Sequence, residues 1–222
     1  MPEPRPMRAD ARKNYQALVE VARHHLTSQG VTTSLEAIAR EAGVGVGTLY
    51  RHFPDRDHLI LAALNAQGEA LRAASAGIRE STPEVARLDR WLAEVEKYLS
   101  SYQGLPDSIA QALERGDKSP LTITCQEIIA ITDEFLADAQ RRGSVRSEVT
   151  GQALFETALM VAWLGSQLPH QDRGPEGVRG ILRHGYRAKK PTCMSRGPEH
   201  HPSNGSRSRA TKSKENLHCL SP

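Results

Sequence analysis

The chain has 222 residues, enough to bury a hydrophobic core in one or two domains. No apolar run approaches the ~18 residues that cross a bilayer, and the N-terminus has no signal-peptide pattern, so we expect a cytoplasmic protein with no membrane contact. The formal net charge of +3 is unevenly divided, because residues 1–60 hold 8 Lys/Arg against 7 Asp/Glu while residues 187–222 hold 8 against 2.

The N-terminal part predicts a flexible arm followed by a helix. Residues 1–10 are rich in proline and arginine, and their basic side chains either reach DNA or are simply solvated. The helix after them is indicated by apolar residues at helical spacing. These residues are Tyr15, Leu18, Val19, Ala22 and Leu26.

A second, short helix is predicted after Thr33. Thr33 or Ser34 supplies the N-cap oxygen, and Glu36 stands three residues after Thr33, as a capping box requires. Gly43 ends the helix, because glycine enters the left-handed conformation without a Cβ clash. One face of this helix is apolar. Its residues are Leu35, Ile38, Ala39 and Ala42.

A third helix is predicted over Val46–His52, with Leu49 and Phe53 on its inner side. Pro54 prevents its continuation, and Asp55 caps the helix that follows. Two short helices joined by a glycine turn are typical of a helix-turn-helix, here over about residues 34–53, whose second helix enters the major groove of DNA.

The outward side of the third helix carries side chains suited to DNA. Arg51 reaches a phosphate or a guanine edge, and Val46 packs on a thymine methyl. Gly45 and Gly47 leave the start of the helix open to the DNA backbone. Three further side chains donate hydrogen bonds to phosphates. They are Thr48, Tyr50 and His52.

Two other interpretations of the same segment remain open. The spacing of Gly43, Gly45 and Gly47 is compatible with a phosphate-binding nucleotide loop, although helix-patterned residues precede it where such a loop needs a strand. Two packed helices with a glycine turn can also be purely structural.

The segment resembles the DNA-binding domain of the TetR family of bacterial transcriptional regulators over about residues 11–66. The matching groups are Ile38-Ala39, Ala42-Gly43-Val44, Gly47-Thr48-Leu49-Tyr50, His52-Phe53 and the start of the next helix at Leu59–Leu64. The resemblance implies that Thr33 and Ser34 bind phosphate, that Thr48, Tyr50 and His52 contact the DNA backbone, and that Arg56 clamps a phosphate. Gly45 and Val46 depart from the polar residues of many relatives, which leaves base recognition to Arg51 and DNA shape.

The remaining pattern is helical to about residue 187, so we predict an all-α fold without strands. One long helix is expected over residues 55–79, and a stripe from Leu88 to Tyr102 marks the next. The later helices are expected over residues 106–115, 119–142, 150–168 and 174–186. The predicted domains are therefore 11–58 for DNA binding and 59–187 for effector binding and dimerisation.

The helix at residues 150–168 is apolar on more than one side and must be covered on two. We expect it to pack with residues 174–186 against their copies in a two-fold homodimer, an assignment that the family resemblance also implies. A dimer reads two half-sites of an inverted repeat, which one short helix cannot do alone.

The resemblance further implies an unidentified small-molecule effector in the second domain, which shifts the spacing of the two recognition helices. Repression is the more common outcome in the family, and activation uses the same domain. The candidate pocket residues are Trp91, Tyr98, Tyr102, Cys125, Ile128, Phe135, Phe155, Met160 and Trp163.

The sequence gives no reason to expect a cofactor or a metal. Cys125, Cys193 and Cys219 form no CxxC pair, and Cys125 is read as a buried apolar residue in preference to a redox sensor. Residues 188–222 are predicted to be a disordered basic tail, and the spacing of its histidines suits no closed zinc site.

Two other function classes fit the sequence less well. An enzyme is disfavoured, because no catalytic triad, metal motif or carboxylate pair stands out. A helical module that binds a protein partner without touching DNA remains the main alternative.

Overall fold

The computed structural model describes residues 5–116, 118–168 and 176–187. Within these ranges the chain forms ten α-helices and a 3-10 turn at Glu84–Ala86, and its only extended pairing is a bridge between Val145 and Arg187. The helices are α1 Arg5–Gln29, α2 Leu35–Glu41, α3 Val46–His52, α4 Arg56–Ala63, α5 Asn65–Ser81, α6 Arg87–Leu99, α7 Leu105–Arg115, α8 Pro120–Arg141, α9 Gly151–Gln167 and α10 Glu176–Tyr186.

The predicted all-α class is confirmed. The helix-turn-helix has the predicted bounds for α3 and the predicted left-handed glycine, with Gly43 at φ 65°. The first helix starts earlier than expected, because residues 5–10, assigned to the arm, belong to α1. Leu18, Ala22 and Leu26 of α1 are buried against the short helices, as their spacing predicts.

One helix prediction is wrong. Residues 55–79 were expected to form a single helix, but α4 and α5 meet at Leu64, where φ is −80° and ψ is −1°. The two helices have different neighbours, since α4 packs on α1 and α8 while α5 packs on α6. At the junction the Tyr102 hydroxyl donates to the Ala63 carbonyl over 3.3 Å. The break is therefore set by tertiary packing.

The larger helical part is built around α6, which packs against α5, α8 and α9. Trp91, Val95 and Leu99 on its inner face are fully buried, as is Phe155 on α9. The Trp91 ring stacks on Phe135 at 5.4 Å between centroids. These contacts form the core that the stripe from Leu88 predicted.

Helix α10 is joined to α6 by polar contacts. The Tyr186 hydroxyl donates to Asp89 over 2.8 Å, Arg179 pairs with Glu96 at 2.5 Å, and Arg187 also contacts Asp89. Basic side chains of α10 thus lie against acidic side chains of α6.

Several sequence predictions fall outside the described residues. They concern the first four residues of the arm, the start of the 174–186 helix, and the tail with Cys193, Cys219 and its histidines. Among the helices of the described ranges, none is long and apolar enough to span a membrane.

Candidate nucleic-acid interface

Helix α2 begins at a serine cap. Ser34 is extended, and its hydroxyl accepts a hydrogen bond from the Ala37 amide at 3.2 Å. The cap thus places Glu36 at the second helical position, so the capping box predicted from Thr33 does not form. The Ser34 hydroxyl instead donates to a Glu36 oxygen over 2.8 Å.

Helix α3 divides its residues between the core and the surface as predicted. Leu49 is fully buried and Phe53 nearly so, which fixes the helix against α1. On the other side Val46 and Tyr50 are 43 % and 41 % exposed, and Arg51 is also exposed. Gly45 and Gly47 are exposed at the start of the helix, and Thr48 and His52 are half-buried. The arrangement leaves one surface of α3 exposed to solvent.

Glu36 joins the two helices at this surface. Its second carboxylate oxygen accepts from the Tyr50 hydroxyl over 3.1 Å. A backbone hydrogen bond at Glu36 and those from Ser34 and Tyr50 keep the pKa of this carboxyl below its ordinary value, so it is ionised at neutral pH. The same contact raises the pKa of Tyr50. Sequence reasoning missed this role, because Glu36 was considered only as a capping residue.

Two of the predicted phosphate-binding residues are engaged inside the protein. Thr33 is 6 % exposed, and its hydroxyl donates to Gln29 over 3.2 Å. One nitrogen of the Arg56 guanidinium donates to the carbonyls of Val31 and Thr33, each over 2.6 Å. Arg56 thereby holds the turn that leads into α2.

His25 is a second internal anchor that the sequence did not suggest. It is 5 % exposed, and its Nδ1 lies 3.0 Å from the Thr33 hydroxyl. Its Nε2 lies 2.7 Å from a Glu41 oxygen at the end of α2, and this hydrogen bond lowers the pKa of Glu41. His25 therefore fixes both ends of α2 to α1.

The turn before α2 also contacts the loop between α6 and α7. The Val31 amide donates to the Gln103 carbonyl over 2.9 Å. Gly30 has φ +77°, and a Cβ there would lie 2.7 Å from the same carbonyl oxygen. A salt bridge of 2.6 Å between Arg115 and Asp57 joins α7 to the first turn of α4. The helix-turn-helix is thus attached directly to the larger helical part.

The nine candidate pocket residues are divided between the hydrophobic core and the surface. Seven of them, including Trp91, are buried in the core, and the Trp91 indole donates to Thr132 over 2.8 Å. Met160 and Trp163 lie on the surface of α9, 64 % and 44 % exposed. Tyr98 lines a cleft between α5 and α8. The apolar residues with helical spacing were expected as pocket walls, but most of them fill the space between helices.

The sequence matches two family models. Residues 18–63 match the model described as bacterial regulatory proteins, tetR family. Residues 82–188 match the model described as transcriptional regulator SbtR-like, C-terminal domain. The two matches cover most of the described chain, and the first contains the whole surface formed by α2 and α3.

Relatives and solved structures agree with these matches. A helix-turn-helix transcriptional regulator from Staphylococcus aureus is 46 % identical over 54 residues, which are 24 % of this chain and 29 % of that protein. The chain thus spans less than a third of the length of the curated relatives that it matches. The ketosteroid transcriptional regulator of Mycobacterium tuberculosis is 17 % identical with a TM-score of 0.54, over 79 % of this chain and 95 % of that one. The regulatory protein TetR from Rhodobacter sphaeroides is 18 % identical with a TM-score of 0.51, over 76 % and 95 %. These two structures share the fold.

Proposed function

The chain belongs to the TetR family of transcriptional regulators, and from that premise we propose that it is a homodimeric repressor released from its operator by a small-molecule effector. Its helix-turn-helix binds DNA, and α3 is the recognition helix. The observation that carries this proposal is the exposed row of α3 opposite the buried Leu49 and Phe53. We place the protein in the bacterial cytoplasm, where its DNA lies.

The exposed residues of α3 have distinct roles in this proposal. Arg51 binds a base edge, and Val46 contacts a thymine methyl. Ser34, Thr48, Tyr50 and His52 bind phosphates, which position the helix without reading sequence. Gly45 and Gly47 let the backbone approach the DNA closely.

Thr33 and Arg56 contribute in a different way from the other residues. Because both are bonded inside the protein, they act by holding the turn that aims α2 and the Ser34 cap. Their effect on DNA affinity is therefore indirect.

We propose that the two parts of the chain have different roles. Residues 11–58 bind DNA, and residues 59–187 bind the effector and form the dimer. Exposed apolar side chains on α9 and α10 support the dimer interface, since Met160, Trp163 and Ile181 are 64 %, 44 % and 75 % exposed. A dimer also gives the length of DNA contact that specificity requires.

We propose that the effector acts through the contacts between the helix-turn-helix and the larger helical part. The Gln103 carbonyl holds the turn at Val31, and Tyr102 holds the end of α4. A ligand that binds better to a displaced α6 would move both attachments and change the separation of the two α3 helices. Only such a difference in affinity can shift the equilibrium.

Selection of bound sequences from a random DNA pool by the purified full chain tests the proposal. We expect enrichment of an inverted repeat with half-sites about 10 bp apart or a multiple of it. Arg51→Ala should relax the enriched consensus, whereas Arg90→Ala, an exposed change on α6, should not. Transcription in vitro from a promoter carrying the repeat should fall when the protein is added. Absence of any enrichment at low salt by the folded protein would contradict DNA binding and favour a protein-interaction module.

A further inference from the structure

A cleft lies between the α4–α5 junction, α6 and α8, on the side of Tyr98. Its volume is about 360 Å³. Sites for small molecules generally occupy ~300–1,000 Å³, so this cleft has room for a small ligand of that class. The apolar part of its wall comes from α4, the α4–α5 junction and α8. It consists of Leu61, Leu64, Pro120 and Ile123.

Tyr98 contributes a phenol to the wall of the cleft. The residue is 4 % exposed, and it lines the cleft. Burial raises the pKa of this phenol to about 12, so it stays protonated and can donate as well as accept. A ligand oxygen or nitrogen in the cleft can therefore form a hydrogen bond with this hydroxyl.

Two opposite charges line the same cleft. Arg72 on α5 and Glu127 on α8 both act on the Tyr98 phenol, with opposite effects on its pKa. Within the described ranges neither side chain takes part in an ion pair, and the Arg72 guanidinium lies over Gly68, 3.7 Å from the position of a Cβ. A ligand with one net charge would leave either Arg72 or Glu127 without a counter-charge.

We propose that the cleft binds a small zwitterionic amphiphile. Its apolar body packs on Leu64 and Ile123, its anionic group pairs with Arg72, and its cationic group pairs with Glu127. Tyr98 donates to an oxygen near the head. Calling this ligand the effector rests on the proposed function, but its binding does not.

Calorimetric titration of the full chain, without DNA, tests the charge preference with probes that share an octyl chain. The probes are N-octyl-N,N-dimethylglycine, octanoate, octyltrimethylammonium and 1-octanol, each below its micellar concentration. We expect the zwitterion to bind at least about fivefold more tightly than the other three, as partly exposed ion pairs allow. Equal affinity for all four probes would overturn the proposal.

Three variants locate the binding in the cleft. Arg72→Gln should shift the preference towards octyltrimethylammonium, and Glu127→Gln should shift it towards octanoate. Tyr98→Phe should weaken binding of the zwitterion. Glu80→Gln, an exposed change on α5 outside the cleft lining, is the matched control and should change nothing. An unchanged charge preference in both charge variants would contradict the assigned pairs.

The two proposals fail separately. If the zwitterion binds while the chain enriches no DNA sequence, the proposed ligand site is supported and the proposed DNA-binding function is contradicted. If an inverted repeat is enriched while none of the four probes binds detectably, the proposed DNA-binding function is supported and the proposed zwitterion site is wrong.

Discussion

Glu36 places a carboxylate between two hydroxyls of the proposed DNA interface. It accepts hydrogen bonds from Ser34 and Tyr50, and it is ionised at neutral pH. DNA phosphates need the same two donors and are repelled by the same charge. In the proposed complex, both hydroxyls must therefore leave Glu36 to bind phosphates.

We expect Glu36→Gln to increase DNA affinity, because it removes a negative charge and weakens two competing hydrogen bonds. An increase of about two- to fivefold is expected at low ionic strength, since exposed charge interactions are small. Fluorescence anisotropy with the selected operator measures it. Glu80→Gln has the same charge change on α5 and should leave affinity unaltered. Weaker binding by Glu36→Gln would mean that the carboxylate orients the hydroxyls in a useful way.

Substitutions at Arg56 and Arg51 are expected to separate an effect on protein stability from an effect on DNA recognition. Arg56→Gln should lower the free energy of unfolding by about 1–3 kcal/mol, because it leaves the partly buried carbonyls of Val31 and Thr33 with fewer partners. Arg51→Gln, on the exposed side of α3, should lower DNA affinity with unfolding unchanged. Urea denaturation and operator titration of both variants measure this. If Arg56→Gln unfolds like the wild type and only binds DNA less well, Arg56 is a phosphate contact as the family resemblance implies.

Single residues show where sequence reasoning reached its limit at the site. The exposed row of α3 could be predicted, because helical periodicity sorts Leu49 inward and Tyr50 outward. The internal roles of Thr33, Arg56 and His25 could not, because most of their partners lie 8 to 25 residues away along the chain. Such partners depend on how the helices pack.

At the scale of elements, the turn between α1 and α2 contains a close backbone approach. Gly30 and Gly43 both have positive φ, at 77° and 65°. Only at Gly30 would a Cβ meet another segment, at 2.7 Å from the Gln103 oxygen, whereas at Gly43 it would meet nothing within 4 Å. Alanine substitution at Gly43 therefore measures the conformational cost of a positive φ alone, and alanine substitution at Gly30 adds the contact with Gln103.

Gly43→Ala should destabilise the protein by about 1–2 kcal/mol, which is the conformational cost alone. Gly30→Ala should cost clearly more, because the new methyl must push Gln103 away, and it should also break the Val31–Gln103 hydrogen bond. Thermal and urea unfolding measure the difference. Equal losses of stability for the two variants would show that the loop between α6 and α7 moves away from the new methyl group at no cost in free energy.

Helix bounds divide into those that local signals determine and those that they do not. Helices α2 and α3 were predicted well, since a cap, a glycine stop and a proline mark their ends. The break at Leu64 has no such signal, because neither glycine nor proline stands there. It results from the two sets of neighbours that α4 and α5 must reach.

At the scale of the whole molecule, the apolar residues of the second part serve three different purposes. Trp91 and Phe155 fill the core, Leu64 and Ile123 line a cleft, and Met160 and Trp163 lie on the surface. Apolar spacing alone predicts that such residues are buried somewhere. It does not distinguish a core contact from a ligand contact or a subunit contact.

Met160 is the residue through which the proposed dimer is best tested. Its side chain is 64 % exposed on α9, and the exposed Trp163 lies three residues further along the same helix. Met160→Arg would place two charges of like sign against each other near a two-fold axis, at a cost that an apolar interface cannot offset. Light scattering should show a dimer for the wild type and a monomer for this variant.

Val85→Arg is the matched control, because Val85 is 78 % exposed on the 3-10 turn before α6, outside α9 and α10. It should stay dimeric and keep its affinity for the inverted repeat. Met160→Arg should lose most of that affinity while retaining weak, salt-sensitive binding to single half-sites, since each α3 still contacts phosphates. A Met160→Arg variant that remains a dimer would remove α9 from the interface, and a monomeric wild type at micromolar concentration would remove the dimer itself.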